Sequence, residues 1–184
     1  MVCFLDMNSE YVEEAFVNKM AACMSGDTSD QPKIIHVELF FPDERKNSIH
    51  SNNLVGLSCS IHYKGKVFLE PKQFSKKNWK FRTLSVTNQQ YDNCLRFCQN
   101  TVGADFNYPG YYLYFMPSML RPGSTTFGKA RYFCSELVTE ALKAGDVFDK
   151  TQSSKIHPHA LFQLLQDQSM IDCARQLDPS RIKY

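Results

Sequence analysis

Of the seven cysteines in the chain, Cys134 stands where a thiol can serve as a nucleophile. It falls in YFCSELV, residues 132–138, where aromatic residues give way to an apolar stripe of Leu137, Val138, Ala141 and Leu142 that Gly145 stops. This spacing predicts a helix with Cys134 in its first turn. A thiol attacks as its thiolate, a form favoured by the free N–H groups and dipole of a helix start and by a nearby imidazole. The same N–H groups can receive the oxyanion of a tetrahedral intermediate. His36 is the histidine that suits this thiol. It lies in IIHVELFF, residues 34–41, among apolar neighbours on a predicted strand, where an imidazole needs a polar partner. The plainer alternative makes Cys134 one more buried, inert cysteine. The other histidines have blander settings: His50 in a polar loop, His157 and His159 flanking Pro158, and His62 near a turn on the face of Ser58 and Ser60.

Holding these two groups together requires a sheet and a helix, and the hydrophobic periods predict both. Residues 9–24 carry Val12, Phe16, Met20 and Cys23 at helical spacing, and a polar loop follows over 25–32. Alternation then takes over in residues 34–41 and again in LVGLSCSIHY, residues 54–63. Lys64 and Gly65 turn the chain into a third strand at 66–69, and residues 81–86 read as a fourth. Thr87 and Gln90 have the spacing of a capping box, opening a helix with Tyr91, Cys94, Leu95 and Cys98 on its buried face. Residues 105–128 are irregular and rich in Tyr, Phe, Pro and Gly, a length that points to a loop with a task. Pro158 opens the last predicted helix, 158–168, with Leu161, Leu164 and Leu165 as its apolar face. The expected fold is α+β: an antiparallel sheet or small barrel from residues 33–86, packed against the Cys134 helix.

Composition narrows the function classes. The 184 residues are 43% apolar, 13% aromatic and 22% charged, the profile of one folded domain over 1–184. A formal charge of +2 gives no field that would gather nucleic acid. No apolar run approaches the roughly 20 residues that a membrane-spanning helix needs, and residues 1–7 are too short for a signal peptide, so a soluble intracellular protein is expected. The odd number of cysteines lacks the framework of a secreted disulfide domain, which again points to reduced thiols. Cys94 and Cys98 have the spacing of neighbours on one helix face and not of a zinc knuckle, so neither a metal nor another cofactor is expected.

The order of these elements carries a resemblance. A histidine-bearing strand IIHVELFF, a following strand VGLSCSIHY, an aromatic loop and then YFCSELVTEAL resemble the circularly permuted branch of the papain-like, NlpC-type cysteine peptidase superfamily. Within that branch the layout is most similar to members from large DNA viruses, including poxviruses, and from some bacteria. The likeness runs over the core, residues 33–145; the helices at 9–24 and 158–168 lie outside its motifs. It implies a permuted papain-like fold, Cys134 as nucleophile and His36 as base. It also implies a cytoplasmic protein, working in the host cytoplasm if the chain is viral.

A third polar group normally orients such a histidine from the adjoining strand. If the strand ending at Phe41 folds back on Leu54 or Val55, Ser58 or Ser60 comes level with His36, and Ser58 is the first choice. The family more often has His, Asn, Gln or Glu there. Glu38, on the face of His36, and Glu70 are the substitutes, and Glu38 is equally suited to a salt bridge at the sheet edge. The expected activity is that of a thiol hydrolase or acyltransferase acting on an amide, ester or thioester. Residues 106–112 can wall its cleft, and the substrate is a peptide, an amide or an acyl-lipid. The alternative is a weakly active or inactive binding protein on the same fold, for which a serine in the third position speaks.

Overall fold

The structure is a computed structural model that describes residues 1–6, 34–43, 53–62, 65–77, 79–108 and 130–167. Five antiparallel strands form its main sheet: β1 (Val2–Asp6), β2 (Ile34–Pro42), β3 (Asn53–Ile61), β4 (Val67–Ser75) and β5 (Trp79–Arg82), in the spatial order β4-β3-β2-β1-β5. A short parallel pair, β6 (Asp105–Phe106) and β7 (Arg131–Tyr132), accompanies it. The described helices are α1 (Asn88–Thr101), α2 (Cys134–Ala144) and α3 (Pro158–Asp167). The α+β class and the antiparallel sheet agree with the sequence reading. The predicted helix at 9–24 lies outside the described residues.

Three features differ from the expectation. β1, at the start of the chain, is an interior strand paired with both β2 and β5. β4 continues past Leu69 to Ser75, because it is an edge strand and Pro71 withdraws no donor that the sheet needs. The strand expected at 81–86 is instead Trp79–Arg82, closed by its pairing with β1.

Connectivity forces the sheet to curl. β4 and β5 are its two edges, yet only residues 76–78 join them. Laid flat, four inter-strand steps would separate the edges by about 19 Å, whereas four residue steps reach about 14 Å at full extension. The edges therefore approach, and Phe74 of β4 meets Trp79 and Phe81 of β5 with ring centroids 4.6 and 6.3 Å apart. The inner face holds a small apolar plug of Cys3, Phe40, Leu54, Phe74 and Phe81. The outer face, with Val2, Phe4, Val37, Leu39, Cys59 and Ile61, carries the larger core. There α2 contributes Leu137, Val138, Ala141 and Leu142, and α3 contributes Leu161 and Leu165. Each large apolar side chain buried this fully adds about 1.5 to 3 kcal/mol, which locks α2 to β2 and β3.

Candidate active site

Cys134 is the first residue of α2, after an extended Phe133 at the N-cap. The helical ladder begins with the Leu137 N–H on the Phe133 carbonyl, 2.9 Å, so the N–H groups of Cys134, Ser135 and Glu136 lie ahead of it. This helix start is tied down on three sides. The Ser135 hydroxyl donates to the Ile156 carbonyl at 2.5 Å. The Glu136 carboxylate accepts the Phe133 N–H at 3.4 Å and the Asn107 side-chain amide at 3.1 Å. Asn107 is fixed in turn by its own N–H on the Tyr132 carbonyl, 2.9 Å. Burial raises the Glu136 carboxyl above its ordinary value, against the hydrogen bonds from Asn107 and Phe133. The Ser and Glu of CSEL thus hold the turn that presents Cys134.

His36 enters from β2. Pairing of β2 with β3 runs from Pro42 opposite Gly56 to Leu39 opposite Cys59 and stops short of His36. Beyond it the Ser60 hydroxyl takes the Val37 carbonyl at 2.8 Å. At this end of β2 the imidazole lies near enough to Cys134 for the two groups to interact electrostatically. His36 Nε2 lies 3.3 Å from Glu38 Oε1 and 3.4 Å from Ser60 Oγ. Burial pushes the imidazole down. The charge and hydrogen bond of Cys134, then those of Glu38, outweigh it and raise the His36 pKa to about 9.

Glu38 is the hub of this arrangement. It is fully buried on a strand in the middle of the sheet, not at an edge. Besides His36, its carboxylate accepts the Ser58 hydroxyl at 2.6 Å and the Lys72 ammonium at 2.5 Å. Burial alone would raise its pKa, but His36 and then Lys72 bring it down to about 2. The Lys72 ammonium also lies over the rings of Phe74, Trp79 and Phe68 at 5.0, 5.3 and 5.8 Å. His62 stacks on His36 with ring centroids 5.4 Å apart, and burial and the neighbouring His36 lower its pKa.

The residues singled out from sequence sort as follows. His36 and Cys134 meet. Ser58 reaches the imidazole only through Glu38, because the register sets it opposite Phe40 and gives its hydroxyl to the carboxylate. Ser60 is the serine beside the ring, and its proton goes to Val37. Glu38 takes both roles left open for it, partner of the histidine and member of a salt bridge. Glu70 is exposed on β4 opposite Ser58. His62 does more than decorate a turn, since it covers one face of His36. His50 and residues 109–112 of the aromatic loop lie outside the described residues; Phe106 is buried and Tyr108 exposed. Lys72 is the member that sequence reasoning missed. Its signal was alternation through VFLEPKQFS, which carries Lys72 inward with Phe74 once the strand is allowed to pass Pro71.

Among the described residues no group of three or more His, Cys, Asp and Glu side chains is arranged to hold a metal ion, and no helix is long and apolar enough to cross a membrane. Compared with protein-family models, with curated proteins and with solved structures, the chain finds no match.

Proposed function

We propose that this chain is a thiol hydrolase or acyltransferase in which Cys134 is the nucleophile, His36 the proton carrier and Glu38 the group that orients and charges His36. The observation that carries the reading is a partly exposed cysteine at the first position of a clamped helix, electrostatically coupled to a histidine whose Nε2 is held by a buried carboxylate. An imidazolium and a helix start both favour the thiolate. The thiolate attacks the carbonyl carbon of an amide, ester or thioester, and the oxyanion is received by N–H groups at the start of α2. Collapse of the intermediate breaks the bond to the leaving group, which takes the proton from His36. Neutral His36 then accepts a proton from water or another acceptor as that nucleophile attacks the acyl-thioester, and collapse returns the free thiol. Peptide, simple amide and acyl-lipid substrates all fit this chemistry. The order of histidine strand, adjoining strand and cysteine helix supports the permuted papain-like relationship.

The test is alkylation by iodoacetamide near neutral pH, resolved by peptide mapping. Cys3, Cys59, Cys94 and Cys98 are buried, and burial pushes Cys94 up to about 11. Hydrogen bonding to Cys59 raises Cys98, with burial adding to it. Cys134 is the partly exposed thiol of the described set. It should react fastest of all, and His36→Ala should slow it. Equal rates for Cys134 and the buried thiols, or indifference to His36→Ala, would overturn the reading.

A further inference from the structure

We propose that a cleft at the open seam of the curled sheet, between β4 and β5, is a subsite for a carboxylate carried by the substrate. The cleft measures about 470 Å³ and is lined by Leu5, Asn53, Lys72, Gln73, Ser75 and Trp79. That volume suits a few residues or a small acyl group. Its walls adjoin the chemistry. Leu5 stands opposite both His36 and Trp79 in the strand register, and the Trp79 ring meets the His36 ring edge-on, centroids 6.3 Å apart. Lys72 is bonded to Glu38. A substrate whose scissile carbonyl sits at Cys134 and whose chain passes His36 therefore runs towards this cleft.

Its chemistry is one-sided. Among the described residues that line it none is acidic, and Lys72 is the one with a charge. The Lys72 side chain keeps 31% of its surface although its partner Glu38 has none. Lys72 thus forms the boundary between a buried carboxylate and an open cleft. An ammonium has three N–H donors, and Glu38 Oε1 takes one of them. Glu38 is shared by two bases, His36 and Lys72, so the ammonium holds only part of its charge. The Trp79 and Leu5 walls lower the local dielectric and strengthen the ammonium's pull on a second carboxylate. Asn53, Gln73 and Ser75 supply neutral hydrogen bonds beside it. The carboxylate is either an acidic side chain or a chain terminus.

That the occupant is a substrate rests on the thiol reading, whereas binding in the cleft does not. Trp79 is the only tryptophan in the chain, so its fluorescence reports the cleft directly. The full chain is titrated with three acetylated tripeptides: Ala-Glu-Ala amide, Ala-Gln-Ala amide, and Ala-Gln-Ala with a free C-terminal carboxylate. At least one carboxylate peptide should perturb Trp79 and bind about tenfold more tightly than the neutral amide; which one does so identifies the source. Lys72→Met should abolish the preference and Lys72→Arg keep it. Glu38→Gln removes the internal competitor, so it should tighten carboxylate binding several-fold while slowing alkylation of Cys134. A structural role for Lys72 alone would not move binding and reactivity in opposite directions. Equal binding of all three peptides, no response of Trp79, or a preference that survives Lys72→Met would overturn the proposal. Failure of Cys134 to show enhanced reactivity would instead overturn the thiol reading and leave the binding result standing.

Discussion

Replacing Glu38 by Gln keeps the size and shape of the side chain and removes its charge, which isolates what the carboxylate does for His36. In the native protein Glu38 Oε1 lies 3.3 Å from Nε2, and His36 titrates at about 9 despite burial. A hydrogen bond to a charged group contributes about 1.5 to 3 kcal/mol, and one pKa unit corresponds to about 1.4 kcal/mol. Losing the charge should therefore lower the His36 pKa by roughly one to two units. Lys72, left without its carboxylate, pushes in the same direction. Cys134→Ala should lower it as well, because the thiol too favours the charged imidazole. With both changes made, burial alone remains and His36 should titrate below its ordinary 6.5. The assay is an NMR pH titration of the imidazole resonances, with His36 assigned by its loss in His36→Asn. A shift under about 0.3 unit in Glu38→Gln would refute the role of the carboxylate, since it would place the bond far below the charged range. An unchanged His36 pKa in Cys134→Ala would refute the pairing with the thiol.

Further consequences follow from the same geometry. His36 titrates above its ordinary 6.5, so its contribution to stability is complete below that pH and is lost as pH rises through about 9; Glu38 titrates below its ordinary 4.5, so its contribution is complete above that pH and lost as pH falls through about 2. Urea unfolding of the wild type should show declining stability from pH 6.5 to 9, and His36→Asn should flatten that decline. Ser58→Ala removes one donor from Glu38 and should slow Cys134 alkylation only about twofold to tenfold, less than Glu38→Gln; an equal loss would return the orienting role to Ser58. Gly56→Ala would drive its new methyl into the Phe41 carbonyl, 2.8 Å from the Pro42 Cα and 2.9 Å from the Phe40 ring, with backbone on two sides. It should cost about 1 to 3 kcal/mol or more, and an unchanged melting temperature would contradict the close approach of β2 and β3 there.

The Cys134 helix and the His36 strand were legible because each has a long periodic signal with a clear stop, and the capping box at Thr87 reads directly as the observed start of α1. β1 was not, because VCFLD is short and offers no alternation. The third residue was hidden by a different cause. Alternation tells the two faces of a strand apart, since a slip of one residue reverses them, but a slip of two residues returns the same face. Ser58 and Ser60 lie on the inner face of β3 and His62 follows them at the same spacing, so the pattern alone cannot say which stands beside His36. The register is settled by Phe40 opposite Ser58 and Phe41 opposite Leu57, where Gly56 lets the strands approach and Phe40 fills the inner plug. That packing moves Ser58 up to Glu38, brings Ser60 to the ring and stacks His62 on His36. Glu38 is then buried away from solvent, and its ionisation depends on the two cations that converge on it. One of them, Lys72, comes from a strand whose extension past Pro71 only the edge position of β4 permits. His36 and Cys134 were therefore visible in residue types, and the carboxylate beside the imidazole was decided by a register that side-chain packing selects.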